Sequence, residues 1–485
     1  MKIDCIIAYS GEEETRQTIK KMRRSGLTGS VYVISPVNAS FEHAETLVSL
    51  QPLSVGNIRQ IALHVKADFA LVALQAGTAE PGQFALERLA GVASDTGAGM
   101  VYSDYYEIKE GKTLNHPVND YQQGSLRDEF NFGPAQLFPK EVLQAYPAEV
   151  NETWEYAGYY ALRLLASRMG ELVRIPEYLF TTKETDTRQS GEKMFDYVSG
   201  SARARQIEME AACTTHLKKI GAFLKPGFRE VLFSGSFPVE ATVVIPVRNR
   251  VRTIGDAVDS VLKQETTFPF NLIVVDNHST DGTTELLAQY NDQRLICLQP
   301  ERTDLGIGGC WNEAVFHNQC GRFAVQLDSD DLYAGTTTLQ QIVDKFHKEK
   351  CAMVIGSYQM CDFMLNPIPP GIIDHKEWSP DNGPNNALRI NGLGAPRAFY
   401  TPVVREIRIP NTSYGEDYAI GLAISRKWKI GRIYEPVYLC RRWEDNSDAS
   451  LDVAKLNAHD AYKDKLRTIE LKTRIRMNEL SAISR

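Results

Sequence analysis

The sequence predicts two α/β domains in tandem, joined by a helical connector. Three observations lead there. Short β-branched apolar runs alternate with helical spacings in both halves. The halves can be laid over each other in pattern. The length, 485 residues, exceeds one ordinary domain.

The second half shows the alternation best. Residues 242–247 (TVVIPV) form a buried strand, and 253–264 place Ile254, Val258, Val261 and Leu262 at helical spacing. A second strand covers 271–277, followed by a helix in TDGTTELLAQY with Thr280 or Asp281 as N-cap. Residues 294–298 are a third strand, then a helix runs 310–319, then 322–328 form a fourth strand. A helix at 336–349 leads into a strand at 352–358. This rhythm predicts a mostly parallel sheet. In the first half, residues 3–9, 30–36, 68–74 and 99–105 are strands. The expected boundaries are 1–185, a helical connector at 186–238, 239–452, and a helical tail at 453–485.

Overlaying the halves sets Gly56 on Gly309, Leu74 on Leu327, Gly82 on Gly335, Met100-Val101 on Met353-Val354 and Tyr105 on Tyr358. Further on, Phe138 falls near Phe399 and Glu155 near Glu416. The pattern argues duplication of one fold.

Composition narrows the classes. With 54 basic and 61 acidic residues the net charge is −7, which disfavours a general nucleic-acid binder. The eight cysteines show no C-x-x-C pair and read as buried reduced thiols. No run of about 18 apolar residues occurs, so no membrane-spanning helix is expected, and MKIDCIIAYSG does not read as a signal peptide. The expectation is a cytoplasmic protein; a peripheral contact at the inner face of the membrane and a homo-oligomer are both allowed. From Lys463 to Arg485 the tail holds seven basic and three acidic residues, which reads as a solvated helix packed on the domain rather than a membrane anchor.

The chemistry concentrates in LDSDDLY (327–333), where Asp328, Asp330 and Asp331 follow a strand. Ligands of open α/β sheets bind at that edge. Crowded carboxylates repel, and a hard cation bridging them to a diphosphate relieves this, which suits Mg²⁺ or Mn²⁺. IPVRNR (245–250) and VDNHSTDGT (275–283) end two further strands on the same edge. In GEDYAIGLAI (415–424), Glu416 and Asp417 open a helix.

Taken with LGIGGCWNEA (305–314), these elements make residues 242–450 resemble a family-2 glycosyltransferase of the GT-A fold. The fold class is then two GT-A domains in tandem. The resemblance implies that Pro246, Val247, Arg248 and Asn249 shape the loop around the nucleotide. Asp276, with Asn277, would read the base; Asp328, with Ser329, would approach the ribose and metal; Asp330 would bind the metal. Asp417 would be the catalytic base, with Glu416 beside it. Arg441, Arg442 and Trp443 are candidates for acceptor or diphosphate. The implied partners are a nucleotide-sugar donor, with UDP the first expectation, and a glycan or lipid-linked acceptor, with no nucleic acid. The implied reaction is metal-dependent and inverting, and the expected setting is bacterial surface polysaccharide or glycoconjugate synthesis.

The chain departs from the family in places. Asn277 and Trp311 stand where the family often has Asp and Arg. CRRWEDNSD (440–448) has no His to complete a metal site, leaving Asp445 or Asn446. Leu439 replaces the Gln of the membrane synthases, and their helices are absent, which argues against a processive membrane polymerase.

The first half looks like a copy without catalytic equipment. The overlay sets Gln75-Ala76-Gly77-Thr78 against residues 328–331, and Tyr156 against Asp417. Scaffolding, dimerisation or holding an acceptor glycan are its expected roles. Two other function classes fit the sequence less well. A sugar nucleotidyltransferase needs a basic glycine-rich N-terminal loop, and IAYSGEEE is acidic. A non-catalytic carbohydrate-binding scaffold has no reason to keep both a metal cluster and a base.

Overall fold

The computed structural model describes residues 1–74, 78–183, 203–444, 446 and 451–483. Two compact units divide the chain: Met1–Phe223 with Leu451–Arg485, and Leu224–Ser450.

The first unit begins with β1 (Ile3–Ala8), α1 (Glu12–Met22), β2 (Thr28–Ser35), β3 (Glu45–Val48) and α2 (Val55–His64). It continues with β4 (Phe69–Ala73), β5 (Glu80–Pro81), α3 (Ala85–Thr96), β6 (Met100–Lys109) and β7 (Lys112–His116). Then come β8 (Gln136–Pro139), α4 (Lys140–Glu149), α5 (Gly158–Met169), β9 (Leu172–Lys183) and α6 (Arg203–Lys219). The second unit starts with β10 (Ala241–Val247), α7 (Ile254–Leu262), β11 (Phe270–Asp276), α8 (Thr283–Leu287) and β12 (Leu295–Leu298). Next are α9 (Ile307–Phe316), β13 (Phe323–Gln326), β14 (Leu332–Tyr333), α10 (Thr338–Glu349) and β15 (Met353–Cys361). It ends with β16 (Pro367–Ile373), α11 (Gly383–Asn386), β17 (Arg397–Tyr400), α12 (Thr401–Ile407), α13 (Glu416–Ser425) and β18 (Ile430–Arg441). The tail is α14 (Val453–Ile483).

The two sheets have one topology. The order β3-β2-β1-β4-β8-β6-β9-β5 in the first is matched by β12-β11-β10-β13-β17-β15-β18-β14 in the second. A side hairpin strand sits on the sixth member of each, β7 on β6 and β16 on β15. The two units are α/β domains of one topology in tandem.

The expectation of a mostly parallel sheet is corrected to a mixed one. Strands β10 to β13 pair in parallel, but β17 lies antiparallel between β13 and β15. An apolar run marks a buried strand without stating its direction, and the long excursion before β17 brings that strand back from the opposite end. The parallel strands are buried on both faces, which explains their unbroken apolar runs: Val243, Val244 and Ile245 are wholly inaccessible.

Pairing fixes which residues correspond. Ala70 faces Phe138 as Ala324 faces Phe399. The parallel pair β6·β9 slips register around Asp104, and β15·β18 slips at the matching Ser357. The Tyr160 and Tyr418 hydroxyls each donate to a backbone carbonyl, those of Leu126 and Ala387. The helix-opening residue matching Asp417 is therefore Tyr159, one before Tyr160, and not Tyr156. Glu416 matches Gly158, and Glu155 lies further upstream. The loop after the fourth strand runs 74–79 in the first unit against 328–331 in the second, two residues longer and without a carboxylate. Within it Gln75, Ala76 and Gly77 lie outside the described residues.

Two helices differ from expectation. The helix after β11 is a short turn over Thr283–Leu287, capped at Gly282, while Asp281 Oδ1 still accepts from the Thr283 amide at 3.0 Å. The helix expected at 310–319 starts earlier, at Ile307.

The tail packs inside the first unit. Asp464, wholly buried, accepts from Ser125 Oγ at 2.9 Å, Arg127 Nε at 3.2 Å and Arg467 Nη1 at 2.8 Å. Gly124 lies so close to the helix that a Cβ would fall 2.2 Å from the Thr468 nitrogen. Of the basic tail residues, Lys463, Arg467 and Arg474 are buried and serve this packing. Among the described residues no helix is long and apolar enough to cross a membrane.

Candidate active site

Strand β10 ends at Pro246 and Val247, and the Val247 carbonyl accepts from the Asn277 amide at 2.8 Å. The ends of β10 and β11 are thereby tied. Arg248 and Asn249 follow and are exposed. Asn249 sits at φ 56°, a left-handed conformation that Asn tolerates. Its amide donates to Ser279 Oγ at 2.9 Å, and its Oδ1 accepts from the Thr280 amide at 2.8 Å. Asn249 thus locks the first strand-end loop to the second.

Asp276 ends β11, 3% exposed. One carboxylate oxygen accepts from the Ser279 amide at 3.0 Å and the other from Thr284 Oγ1. The carboxylate is held in place with lone pairs to spare. Asn277 is buried beside it and donates to the Leu305 carbonyl at 2.8 Å.

The three aspartates after β13 have different surroundings. Asp328 accepts from Gln326 Nε2 at 2.8 Å, and its amide donates to the Tyr438 hydroxyl at 3.1 Å. The Ser329 carbonyl accepts from Thr253 Oγ1 at 3.0 Å. Asp330 Oδ2 accepts from Trp443 Nε1 at 3.3 Å and Asn446 Nδ2 at 3.2 Å, with Arg250 Nε 3.9 Å away. Asp331 is buried and accepts from the Arg441 amide at 2.7 Å. Burial, then the charges of Asp330 and Asp328, push the Asp331 carboxyl well above the usual range. Burial raises Asp328 as well, against the pull of Arg397.

At the start of α13, Asp417 Oδ2 lies 2.6 Å from Arg397 Nη1. Burial and the charge of Asp417 push Glu416 up to about 8. Its Oε2 is buried without a hydrogen-bond partner, an environment that suits the protonated form. Of the pair, Asp417 is the one that meets a guanidinium.

The glycine-rich LGIGG motif has a packing purpose here. A Cβ on Gly308 would sit 1.9 Å from the Pro410 carbonyl oxygen, and one on Gly306 2.5 Å from the Thr412 carbonyl carbon. Asn312 completes the clasp: Nδ2 donates to the Ile409 carbonyl at 2.7 Å and Oδ1 accepts from the Ile409 amide at 3.1 Å. The segment held this way runs directly into Gly415, Glu416 and Asp417.

Residues 440–446 behave differently from expectation. Arg441, an acceptor or diphosphate candidate, is only 2% exposed. Its Nη2 donates to Asp256 at 2.9 Å and its guanidinium lies 5.0 Å from the Phe363 ring centroid. Its Nε and Nη1 are buried without a hydrogen-bond partner, so Asp256 and Phe363 account for only part of its guanidinium. The Arg442 amide donates to the Cys361 carbonyl at 2.8 Å, extending the sheet edge. Trp443 is buried and reaches Asp330. Asn446 turns its amide nitrogen, not its oxygen, toward Asp330, and Asp445 lies outside the described residues.

The oxygen donors offered by Asp328 and Asp330 fit a cation shared with a diphosphate. Among the described residues no group of three His, Cys, Asp or Glu side chains is placed to hold a metal ion unaided. Sequence reasoning missed Arg397 and Tyr438. Neither stands in a motif, and only strand pairing brings them to the aspartates.

Residues 242–401 match the family model described as glycosyl transferase family 2. That match stops short of Glu416 and Asp417. Among curated proteins, the chain is 30% identical over 119 residues to the UDP-Glc:alpha-D-GlcNAc-diphosphoundecaprenol beta-1,3-glucosyltransferase WfgD of Escherichia coli. That alignment covers 24% of this chain and 46% of WfgD, so the chain spans about half the length of that relative. It is 27% identical over 189 residues to the putative teichuronic acid biosynthesis glycosyltransferase TuaG of Bacillus subtilis, covering 38% of this chain and 72% of TuaG. Among solved structures, S. aureus TarS 1-349 in complex with UDP aligns at TM-score 0.37 and 21% identity, over 48% of this chain and 65% of that one. The match to the glycosyl transferase family 2 model thus lies wholly within the second unit.

Proposed function

We propose that the second unit transfers a sugar, with inversion, from a nucleoside-diphosphate sugar to a hydroxyl of a glycan or lipid-linked acceptor. UDP-sugars are the first donors to test, and bacterial surface polysaccharide or glycoconjugate synthesis is the setting. The names of WfgD and TuaG support that setting. The observation that carries the reading is the convergence of Asp276, Asp328, Asp330 and the Arg397–Asp417 pair on the carboxyl edge of one sheet.

In this reading Asp276 accepts from the base, and Asp328 and Asp330 hold Mg²⁺ or Mn²⁺. A bound cation would offset the charge that builds on the leaving nucleoside diphosphate. Arg397 aligns Asp417, which takes the proton of the acceptor hydroxyl as its oxygen attacks the anomeric carbon. The Asn312 clasp fixes the backbone that delivers Asp417.

We assign the first unit no catalysis. Ser35 stands where the second unit has Asp276, the residues at 74–79 carry no acid, and Gln136 with Tyr159 replaces Arg397 with Asp417. The test is a donor screen followed by NMR of the product. Transfer with an inverted anomeric centre, lost in Asp417→Asn, is expected; a retained anomer sinks the single-displacement mechanism.

A further inference from the structure

We propose that Gln326, the last residue of β13, is a positioning residue that joins the two halves of the candidate site. Its side-chain amide holds Asp328 on one side and the strand that carries Arg397 on the other. The inference rests on the reading above, in which Asp328 holds the cation and Arg397 aligns Asp417. It adds the side chain that ties those two tasks together.

Gln326 is 3% exposed, and both ends of its amide are engaged. Oε1 accepts from the Arg397 amide at 3.1 Å, and Nε2 donates to Asp328 Oδ1 at 2.8 Å. Chemistry fixes this orientation. A backbone N–H only donates and an ionised carboxylate only accepts, so the oxygen must face Arg397 and the nitrogen Asp328. The Gln326 carbonyl accepts from the Tyr333 hydroxyl at 3.0 Å, so the main chain under the amide is held as well. On the far side, Arg397 Nη1 donates to the Gly394 carbonyl at 2.8 Å and meets Asp417 at 2.6 Å. A continuous path runs from Asp328 through Gln326 and Arg397 to Asp417. The amide occupies one Asp328 oxygen and so directs the lone pairs that remain. Hydrogen bonds of this kind orient carboxylates that bind metal.

The first unit supplies a control that strand pairing fixes. Leu71 faces Leu137 as Val325 faces Ala398, so the next residues correspond: Val72 to Gln326, and Gln136 to Arg397. Part of the arrangement is shared. Gln136 Nε2 donates to the Gly133 carbonyl at 2.6 Å, as Arg397 donates to that of Gly394, and both glycines take a positive φ, 73° and 96°. Gln136 also meets Tyr159, as Arg397 meets Asp417. The bridge is what differs. Val72 is buried, and its side chain has no hydrogen-bonding atom. An apolar residue therefore suits this place in the sheet, whereas a buried amide is tolerated only with its partners in place. The glutamine is present where Asp328 follows it, and absent where residues 74–79 carry no acid.

The experiment is calorimetric titration of the full chain with UDP at stepped Mn²⁺ concentrations, with uridine as the probe that carries no phosphate. Gln326→Val introduces the first unit's residue, and Gln326→Met keeps the side-chain length without either hydrogen bond. Both variants are expected to need about tenfold more Mn²⁺ for half-maximal UDP affinity, with uridine binding unchanged. On the donor found in the screen above, kcat is expected to fall about tenfold and to stay low at saturating Mn²⁺, because the Arg397 amide has lost its acceptor. A Mn²⁺ midpoint equal to wild type in both variants overturns the bridge alone. Wild-type behaviour in Gln326→Met but not in Gln326→Val overturns it too, since packing then explains the residue. Uridine weakening in step with UDP overturns it as a loss of the whole pocket. A kcat restored in full by Mn²⁺ overturns the link to Arg397. A wild type whose UDP affinity ignores Mn²⁺ overturns the cation reading of Asp328, and one that binds no nucleotide overturns the donor site; the bridge falls with either.

Discussion

The two units share a sheet order and a register slip, and differ in charge at one edge. Asp276 corresponds to Ser35, and the Asp328–Asp331 cluster to a longer neutral loop. The most telling exchange is at the proposed base. Arg397 and Asp417 form an ion pair at 2.6 Å, whereas Gln136 and Tyr159 in the same two places form a neutral hydrogen bond. Both pairs bridge the antiparallel strand and the helix behind it, so the contact survives while the carboxylate does not. Chemistry on this fold is a set of replaceable edge residues, and the sheet does not depend on them.

The comparison can be broken in several ways. The largest expected effect is in Asp417→Asn, which removes the proposed base and should lower kcat by about a thousandfold at unchanged nucleotide affinity. Tyr159→Phe, at the matching place in the first unit, should leave kcat within twofold; a comparable loss there would mean that the first unit takes part in catalysis.

The next effect is on stability. Asp464→Ala removes the carboxylate that Arg127 and Arg467 share, while Arg127 keeps Asp460 at 3.1 Å, and the lost charged hydrogen bonds cost about 1.5–3 kcal/mol. Unfolding of the first unit should therefore move to a lower temperature while nucleotide binding by the second persists. Joint loss of both would show the units to be one cooperative body.

Asn312→Ala strips two hydrogen bonds from the Ile409 backbone and should cost about 1–3 kcal/mol. Because the clasp leads to Asp417, kcat should fall more than nucleotide affinity. A drop in affinity with kcat intact would assign the clasp to the donor pocket.

The last effect is a pH dependence. Glu416 keeps its proton in the folded chain to about pH 8, from an ordinary value of 4.5. Between those values the unfolded chain binds fewer protons, so this group's contribution to stability declines as pH rises. Glu416→Gln should match wild type near pH 4 and melt higher above pH 8. A wild-type curve that does not decline relative to the variant would remove the protonated-Glu416 account.

Much of this site was legible in the sequence because its parts end strands, and strand-end motifs announce themselves. The parallel strands were legible because burial on both faces demands continuous apolar runs. What stayed hidden depends on pairing between distant segments. Arg397 sits in GAPRAFY, which carries no signal, and reaches Asp417 only because β17 inserts between β13 and β15. Burial was equally hidden: nothing in CRRW shows that the Arg441 side chain packs on Asp256 and Phe363. The tail's packing on a domain was legible, but not that Arg467 and Arg474 would be spent on internal carboxylates. Equivalences read along the sequence drifted where loops change length, which is why Tyr156 stood in for Tyr159.

The central claim is that one unit of the two binds donor nucleotide. Calorimetric titration with UDP and manganese measures it directly, on wild type and Asp330→Ala. The account predicts one nucleotide per chain, with binding lost in the variant. Two nucleotides per wild-type chain, or one retained by Asp330→Ala, would contradict it.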